Sequence, residues 1–194
     1  MRAVMRLLLL VGLVLLGRSA YLQAKGWLAG ELLAQAWEKS KRTGQSVAPW
    51  SWADTHPVGR LIIPAVDYNE VIVDGASGRN LAFGPARMEH GAVLGGKGNV
   101  VVAGHRTSWF LPLKDVVVGN AILVETVDAR GQPFTRRFVV QSIHVIAPED
   151  TRFIAPTSES RLTLITCYPF GPQPDSPQRY VVVALPEEPG ALRS

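Results

Sequence analysis

Hydrophobic positions are ordered in two ways along the chain, first as a solid apolar run and later as short alternating segments. Arg2 and Arg6 precede Leu7 to Leu16, ten residues without a polar side chain, the pattern of an export signal whose positive end stays in the cytoplasm. Ten residues is a signal-peptide length, since a spanning helix needs roughly 20. The positions for cleavage are poor, however: Arg18-Ser19-Ala20 puts arginine where a small residue belongs, and Leu22-Gln23-Ala24 is only passable. If Arg18 snorkels to the outer interface, Val4 to Ala24 spans as one helix. We therefore expect residues 1–24 to be an uncleaved single-pass anchor in the cell (inner) membrane. Everything after it then faces outward, into the periplasm if the envelope is Gram-negative.

Leu22, Leu28, Leu32, Leu33, Ala36 and Trp37 follow at helix-like spacing, and Glu38-Lys-Ser-Lys-Arg42 with Thr43-Gly44 closes the pattern. This predicts a stalk or packing helix over 21–42 that covers one side of a core. Residues 45–57, with two prolines, Trp50 and Trp52, read as a linker, so 25–57 forms a helical stalk and linker. From Val58 the period changes. Short β-rich runs appear at 59–64, 70–73, 99–103, 121–125, 134–146, 161–166 and 179–185. Seven or eight strands at this density, with no long helical pattern between them, predict a mainly β fold: a closed or nearly closed, antiparallel-rich barrel over 58–186. Residues 74–88 are the main exception and could hold a short helix, as could Phe110-Leu-Pro-Leu113. Residues 187–194 read as a frayed, flexible tail.

Charge and composition remove several functions. The chain has 20 Lys and Arg against 16 Asp and Glu, but Arg2, Arg6 and Arg18 belong to the opening segment, so the remaining balance is 17 to 16. With no basic stripe carrying interleaved aromatics, a nucleic-acid partner is not expected. A single cysteine excludes an intramolecular disulfide and any multi-cysteine zinc site, and neither metal nor cofactor is expected.

That cysteine, Cys167, is the centre of the candidate chemistry. Arg161-Leu-Thr-Leu-Ile-Thr166 reads as a short buried strand ended by Tyr168-Pro-Phe-Gly171, which places Cys167 where a strand stops. By itself a lone thiol is most often a small buried hydrophobe. Thiol chemistry also needs an imidazole to manage protons and a cation to favour developing negative charge. Val100-Val-Val-Ala103-Gly104-His105 is a buried strand that breaks at glycine and then presents histidine, and Arg179 opens the strand after the Cys167 loop. Three strand ends could thus converge on one point. His144 reads as an ordinary strand residue, His56 and His90 as loop residues, and Arg106 and Arg161 as ordinary solvated charges. Asp115 and Glu125, the acids nearest downstream of His105, read as loop or strand-surface positions.

Thr163-Leu-Ile-Thr-Cys167 resembles the Thr-Leu-x-Thr-Cys signature of sortases. Gly104-His105 after an apolar strand looks like their catalytic histidine, and Arg179 before Tyr-Val-Val-Val183 like their essential arginine. The resemblance covers residues 58–186, and the short domain with one amino-terminal membrane segment is similar to the class D-like group and to proteobacterial class GN sortases. It implies an eight-stranded sortase-like β-barrel with short helices. It also implies a cysteine transpeptidase that cleaves a Leu-Pro-x-Thr-Gly-like sorting signal of an exported protein. The threonyl group would pass through a thioester on Cys167 to an amine acceptor of the envelope. His105 would serve as proton donor and acceptor, Arg179 would hold substrate and oxyanion, and Thr166 would add a substrate-binding hydrogen bond beside the thiol.

Other readings remain open on the residues alone. The Ser-x-Gly-Cys-x-Arg signature of L,D-transpeptidases is absent, the arginine lying twelve positions after the cysteine rather than two. A cysteine peptidase that hydrolyses such a signal, or a non-catalytic envelope domain that binds a peptide strand along an open edge, would share the same pattern.

Overall fold

A computed structural model describes residues 2–171 and 177–187. The apolar opening and the stalk pattern form one unbroken helix, α1 (Arg2–Thr43). It is closed by Lys41 and Arg42 in the last turn, which suit the negative end of the helix dipole, and by Gly44 at φ +66°. The step from an apolar to an amphipathic pattern near residue 24 therefore marks no break in the backbone. Gly12, Gly17, Gly26 and Gly30 all lie within α1 without interrupting it.

Eight strands follow: β1 (Pro57–Ile63), β2 (Tyr68–Asp74), β3 (Ala86–Arg87), β4 (Asn99–Ala103), β5 (Ala121–Val127), β6 (Pro133–Ile146), β7 (Arg161–Tyr168) and β8 (Gln178–Pro186). They close into a barrel in the order β1-β2-β3-β4-β7-β8-β6-β5. Closure satisfies both edges of the sheet, which an open sheet of this length would leave unpaired. Six of the neighbouring pairs are antiparallel, and β2–β3 and β4–β7 are parallel. Strand β3 is too short to show a period in sequence. It is fixed from outside, by Ala86 opposite both Val73 and Ala103. The helices foreseen within 74–88 and at 110–113 are single 3-10 segments, Asn80–Ala82 and Leu111–Asp115.

The barrel interior is filled by the alternate residues that the strand period turns inward, among them Leu61, Ile63, Val100, Val102, Leu162, Leu164 and Val182. Outside, the second half of α1 is packed onto β1 and β2. Leu33 is buried against Val73 and Ala86, and Trp50 and Phe83 close the same cluster with rings 5.1 Å apart in an edge-to-face contact. Trp50 thus belongs to the packed structure although it lies in the expected linker. Lys41 and Arg60 approach Glu125 at 3.9 and 3.8 Å. Gly44 meets Gly131 of the β5–β6 turn so closely that a Cβ on either would stand 2.7 Å from the other's Cα. Both also have positive φ, so no other residue fits either position without displacing backbone.

In the carboxyl-terminal segment, Glu187 still belongs to the fold, its N–H donating to the Arg137 carbonyl and its carboxylate pairing with the Arg137 guanidinium. The rest of the expected tail, 188–194, lies outside the described residues.

Candidate active site

The parallel pairing of β4 with β7 decides which strand ends meet. Ala103 is the Cα partner of Ile165, and the Gly104 N–H donates to the Ile165 carbonyl at 3.2 Å. His105 lies two residues beyond Ala103, and Cys167 two residues beyond Ile165. On the other side of β7, Cys167 and Arg179 are direct antiparallel partners, a relation that puts two side chains on one face with Cβ atoms about 5 Å apart. Three residues spread over 75 positions of sequence are thus neighbours at one end of the barrel.

The strand period also states which face they share. Leu162 and Leu164 point into the core, while Ile165 packs with Ile146, Val181, Val183 and Phe153 in a separate cluster on the outer wall. Cys167 is in phase with Ile165, and Arg179 with Val181, so both lie on the outer wall at the barrel mouth. Strand β7 runs through Cys167 to Tyr168, two residues further than the pattern suggested. The thiol is therefore held on a paired strand rather than on the loop that follows. It is free and half-buried, and Arg179 is half-buried beside it with one guanidinium nitrogen donating to the Gln178 carbonyl at 3.0 Å.

His105 is exposed on a tight turn whose course is set by Gly104. A Cβ at 104 would stand 2.7 Å from the ring of the fully buried Phe110, and the chain can fold back only because none is there. The His105 carbonyl accepts the N–H groups of Ser108 and Phe110, which locks the backbone under the imidazole. Thr166 is buried and donates its hydroxyl to the Gly104 carbonyl at 2.7 Å, joining the histidine-bearing turn to the strand residue next to the thiol. Thr166→Val keeps the shape and removes that bond. We expect it to cost about 1–3 kcal/mol of stability and to lower kcat more than it raises KM, while Thr166→Ser stays close to the parent. Chemical denaturation and steady-state kinetics on the three proteins read both effects.

Two basic residues that looked like solvated charges are structural. Arg106 is only 8% exposed and donates to the Pro169 carbonyl at 3.0 Å, a second tie between the turn after His105 and the turn after Cys167. Arg161 is half-buried and donates to the carbonyls of Arg152 and Phe153, and burial lowers its pKa from the ordinary arginine value. The polarity of an arginine says nothing about which backbone carbonyls tertiary packing will bring to it, so this burial was not readable from sequence. Asn99 was missed altogether. It is buried, donates to the carbonyls of Phe153 and Ala155, and accepts from the Thr163 hydroxyl at 2.7 Å. With Arg161 it stitches the β6–β7 connection against the wall below Cys167. The available signal was an asparagine heading a run of valines, a polar residue where burial was already expected.

An aromatic group borders the site on the inner side of the mouth. The rings of Tyr168 and Tyr180 stack at 6.1 Å, and Phe170 meets Tyr180 edge-on at 4.9 Å. Burial, and then the Tyr168 phenol and the Asp115 carboxylate, raise the Tyr180 pKa. Asp115 is exposed on its 3-10 turn and Glu125 lies half-buried in β5 beside Lys41 and Arg60. His144 is a β6 residue bonded to the Ser142 hydroxyl and packed on the Phe153 ring. His56 and His90 lie outside the helices and strands. Among the described residues no group of three His, Cys, Asp or Glu is placed to hold a metal ion. A cavity of about 580 Å³ opens between α1 and the barrel, lined by Trp37, Val58 and Phe134 among others, and none of His105, Cys167 or Arg179 reaches it.

Comparison with known proteins agrees with this geometry. A family model for the sortase domain matches residues 61–187. Sortase A of Listeria monocytogenes is 30% identical over 114 residues, covering 57% of this chain and 49% of that protein. The structure of sortase A from Corynebacterium diphtheriae superposes with a TM-score of 0.62 at 27% identity, over 73% of this chain and 66% of that one. A Clostridium perfringens sortase D5 transpeptidase shares the fold at a TM-score of 0.66 and 21% identity, over 83% of this chain and 99% of that one. The chain spans about half the length of the curated relatives it matches.

Proposed function

This chain belongs to the sortase family, and from that premise we propose that it is a cysteine transpeptidase which joins an exported protein to an amine of the cell envelope. The observation that carries the reading is the pairing itself. Cys167 faces Arg179 directly across β7 and β8, and His105 follows Ala103 by the same two residues that separate Cys167 from its partner Ile165. A thiol, an imidazole and a guanidinium at one end of the barrel are what acyl transfer through a thioester requires.

In this reading Cys167 passes its thiol proton to His105, and its sulfur attacks the threonyl carbonyl of a Leu-Pro-x-Thr-Gly-like signal. Negative charge gathers on the carbonyl oxygen, where the Arg179 guanidinium donates to it. The peptide C–N bond then breaks, His105 gives a proton to the departing glycyl amine, and a thioester remains. An incoming amine attacks that carbonyl, His105 takes the proton the amine loses, and as the C–S bond breaks it returns that proton to the sulfur, releasing a new amide and the free thiol. Bonds and protons balance without metal or redox cofactor. Thr166 holds the turn that carries His105 at the height of the thiol.

We further propose that the chain belongs with the class D-like or the proteobacterial class GN sortases. The short domain with one amino-terminal apolar segment is what supports this. The segments 1–24, 25–57 and 58–186 then act as anchor, stalk with linker, and catalytic barrel. The apolar window of α1 is entirely exposed, as a single-pass helix would be, and the barrel faces the extracytoplasmic side.

The decisive test is the fate of the thioester. The protein is incubated with a Leu-Pro-x-Thr-Gly peptide, with and without candidate amines, and products are identified by mass. Amide should outweigh free acid whenever a suitable amine is present, because Asp115 and Glu125, the acids nearest downstream of His105, lie on a 3-10 turn and beside Lys41 and Arg60. A product that is always the threonine acid would make the protein a cysteine peptidase, and no cleavage would favour a peptide-binding domain.

A further inference from the structure

The turn that carries His105 is fastened on both flanks. Toward β7, the Gly104 N–H donates to the Ile165 carbonyl, the Thr166 hydroxyl to the Gly104 carbonyl and the Arg106 guanidinium to the Pro169 carbonyl. Toward β3, the fastening is Trp109. Its indole N–H donates to the Leu81 carbonyl at 2.9 Å, and its ring is half-buried against the barrel core. The His105 carbonyl accepts the N–H groups of Ser108 and Phe110, the residues on either side of Trp109. A shift of the indole is therefore passed directly to the backbone under the imidazole.

Leu81 is not part of the strand ladder. It lies in the 3-10 segment Asn80–Ala82 of the β2–β3 connection, which is held from two sides. The Asn80 amide donates to the carbonyls of Asp74 and Gly75, and Leu81 and Phe83 pack in the cluster built around the buried Leu33 of α1. Gly30, Leu33 and Ala34 of α1 also line, with Phe83 and Trp109, one crevice of about 180 Å³. A line of contacts thus runs from α1 through Leu33 and Leu81 to Trp109 and on to His105. A turn fastened toward β7 alone would still be free to tilt about that strand, and the imbalance would change the height of the imidazole over the thiol. Fastening the opposite flank removes that freedom, and a displacement of about 1 Å at reacting groups is enough to cost up to 10²-fold in rate.

We propose that Trp109 is a positioning residue for His105, and that its bond to Leu81 makes the docked half of α1 part of the catalytic assembly. This rests on the sortase reading of the site, and it adds a dependence of kcat on residues that do not touch the peptide. His105 has to serve both the sulfur and the departing amine, so a tilt of its turn lengthens at least one of the two proton transfers. The loss then falls on the chemical step. Peptide binding is affected little, because neither Trp109 nor Leu33 stands on the outer wall that carries Cys167 and Arg179.

The test compares full-length Trp109→Phe, Leu33→Ala, the double variant and Val58→Ala, in detergent and below the unfolding temperature of each. Trp109→Phe keeps a ring and removes the N–H. Val58→Ala trims the cavity at Trp37, away from the His105 turn, and serves as a control for loss of stability alone. Two quantities are read: kcat and KM on a Leu-Pro-x-Thr-Gly peptide, and the rate of Cys167 alkylation by iodoacetamide against pH, with His105→Ala as the reference curve. For Trp109→Phe, kcat should fall about tenfold with KM within about twofold, and the alkylation curve should move from the parent's toward that of His105→Ala. Leu33→Ala should show the same changes to a smaller degree, and the double variant should be within about twofold of Trp109→Phe, because both act along one line of contacts. Val58→Ala should keep the parent kcat and curve. Parent behaviour of Trp109→Phe, or an equal loss in Val58→Ala, overturns the positioning role, and losses that multiply in the double variant overturn the link to α1. If the parent cleaves no peptide, the sortase reading fails instead. The alkylation curves then still decide the positioning, and identical curves for the parent and His105→Ala overturn it.

Discussion

Cys167→Ala should remove turnover, by about 10⁴-fold or more as for other enzymes stripped of a nucleophile, while the protein unfolds at nearly the parent temperature. The first half follows from chemistry, since no other thiol exists in the chain to form the acyl intermediate. The second half follows from placement. Cys167 is half-buried on the outer wall at the barrel mouth, whereas the residues that fill the interior of the same strand are Leu162 and Leu164. Removing one sulfur from such a site leaves no enclosed cavity, and a change within about 1 kcal/mol is expected. Peptide cleavage and thermal melts on the two proteins decide the matter. A collapse of the melt would make Cys167 a core residue, and residual cleavage above the uncatalysed rate would place the nucleophile elsewhere.

Arg179→Lys should be nearly as damaging, with kcat lowered by about 10²- to 10³-fold, the usual loss on removing one oxyanion donor. Both residues are cationic, so charge is retained. Geometry is lost: the guanidinium offers planar paired donors, and one of its nitrogens is already engaged with the Gln178 carbonyl, which orients the fork at the strand edge opposite Cys167. A lysine has a single rotating ammonium and cannot hold the backbone and the oxyanion together. KM should move less than kcat, because the interaction grows as charge develops on the carbonyl. Near-parent turnover by the lysine variant would remove Arg179 from that role. Arg106 is a poor substitute, since its guanidinium is buried under the turns and occupied by the Pro169 carbonyl.

The β-rich class, most strand positions and the barrel were readable from residues 58–186 because they rest on local signals: alternation, β-branched runs and the glycines and prolines between them. So was the helical character of the opening 43 residues, and so were the three residue types of the candidate site, each written beside a strand. What local pattern could not supply is adjacency. That β4 lies parallel to β7, bringing Ala103 to Ile165 and so His105 to the level of Cys167, is a choice among many strand orders, and only closure of the whole sheet makes it. Strand β3 exists because two longer strands flank it. Arg106, Arg161 and Asn99 changed meaning once distant backbone carbonyls were brought to them, since the same side chain is solvated or structural according to what packs over it. The same holds for α1. Its periodicity announced a helix with one buried face, but the direction in which it descends the barrel depends on Leu33 meeting Val73 and on Gly44 meeting Gly131, contacts between segments far apart in the chain. Sequence determined which segments could form and which residues could react; tertiary packing decided which end of the barrel they share and which way it points, because those are properties of long-range contacts that no window of neighbouring residues contains.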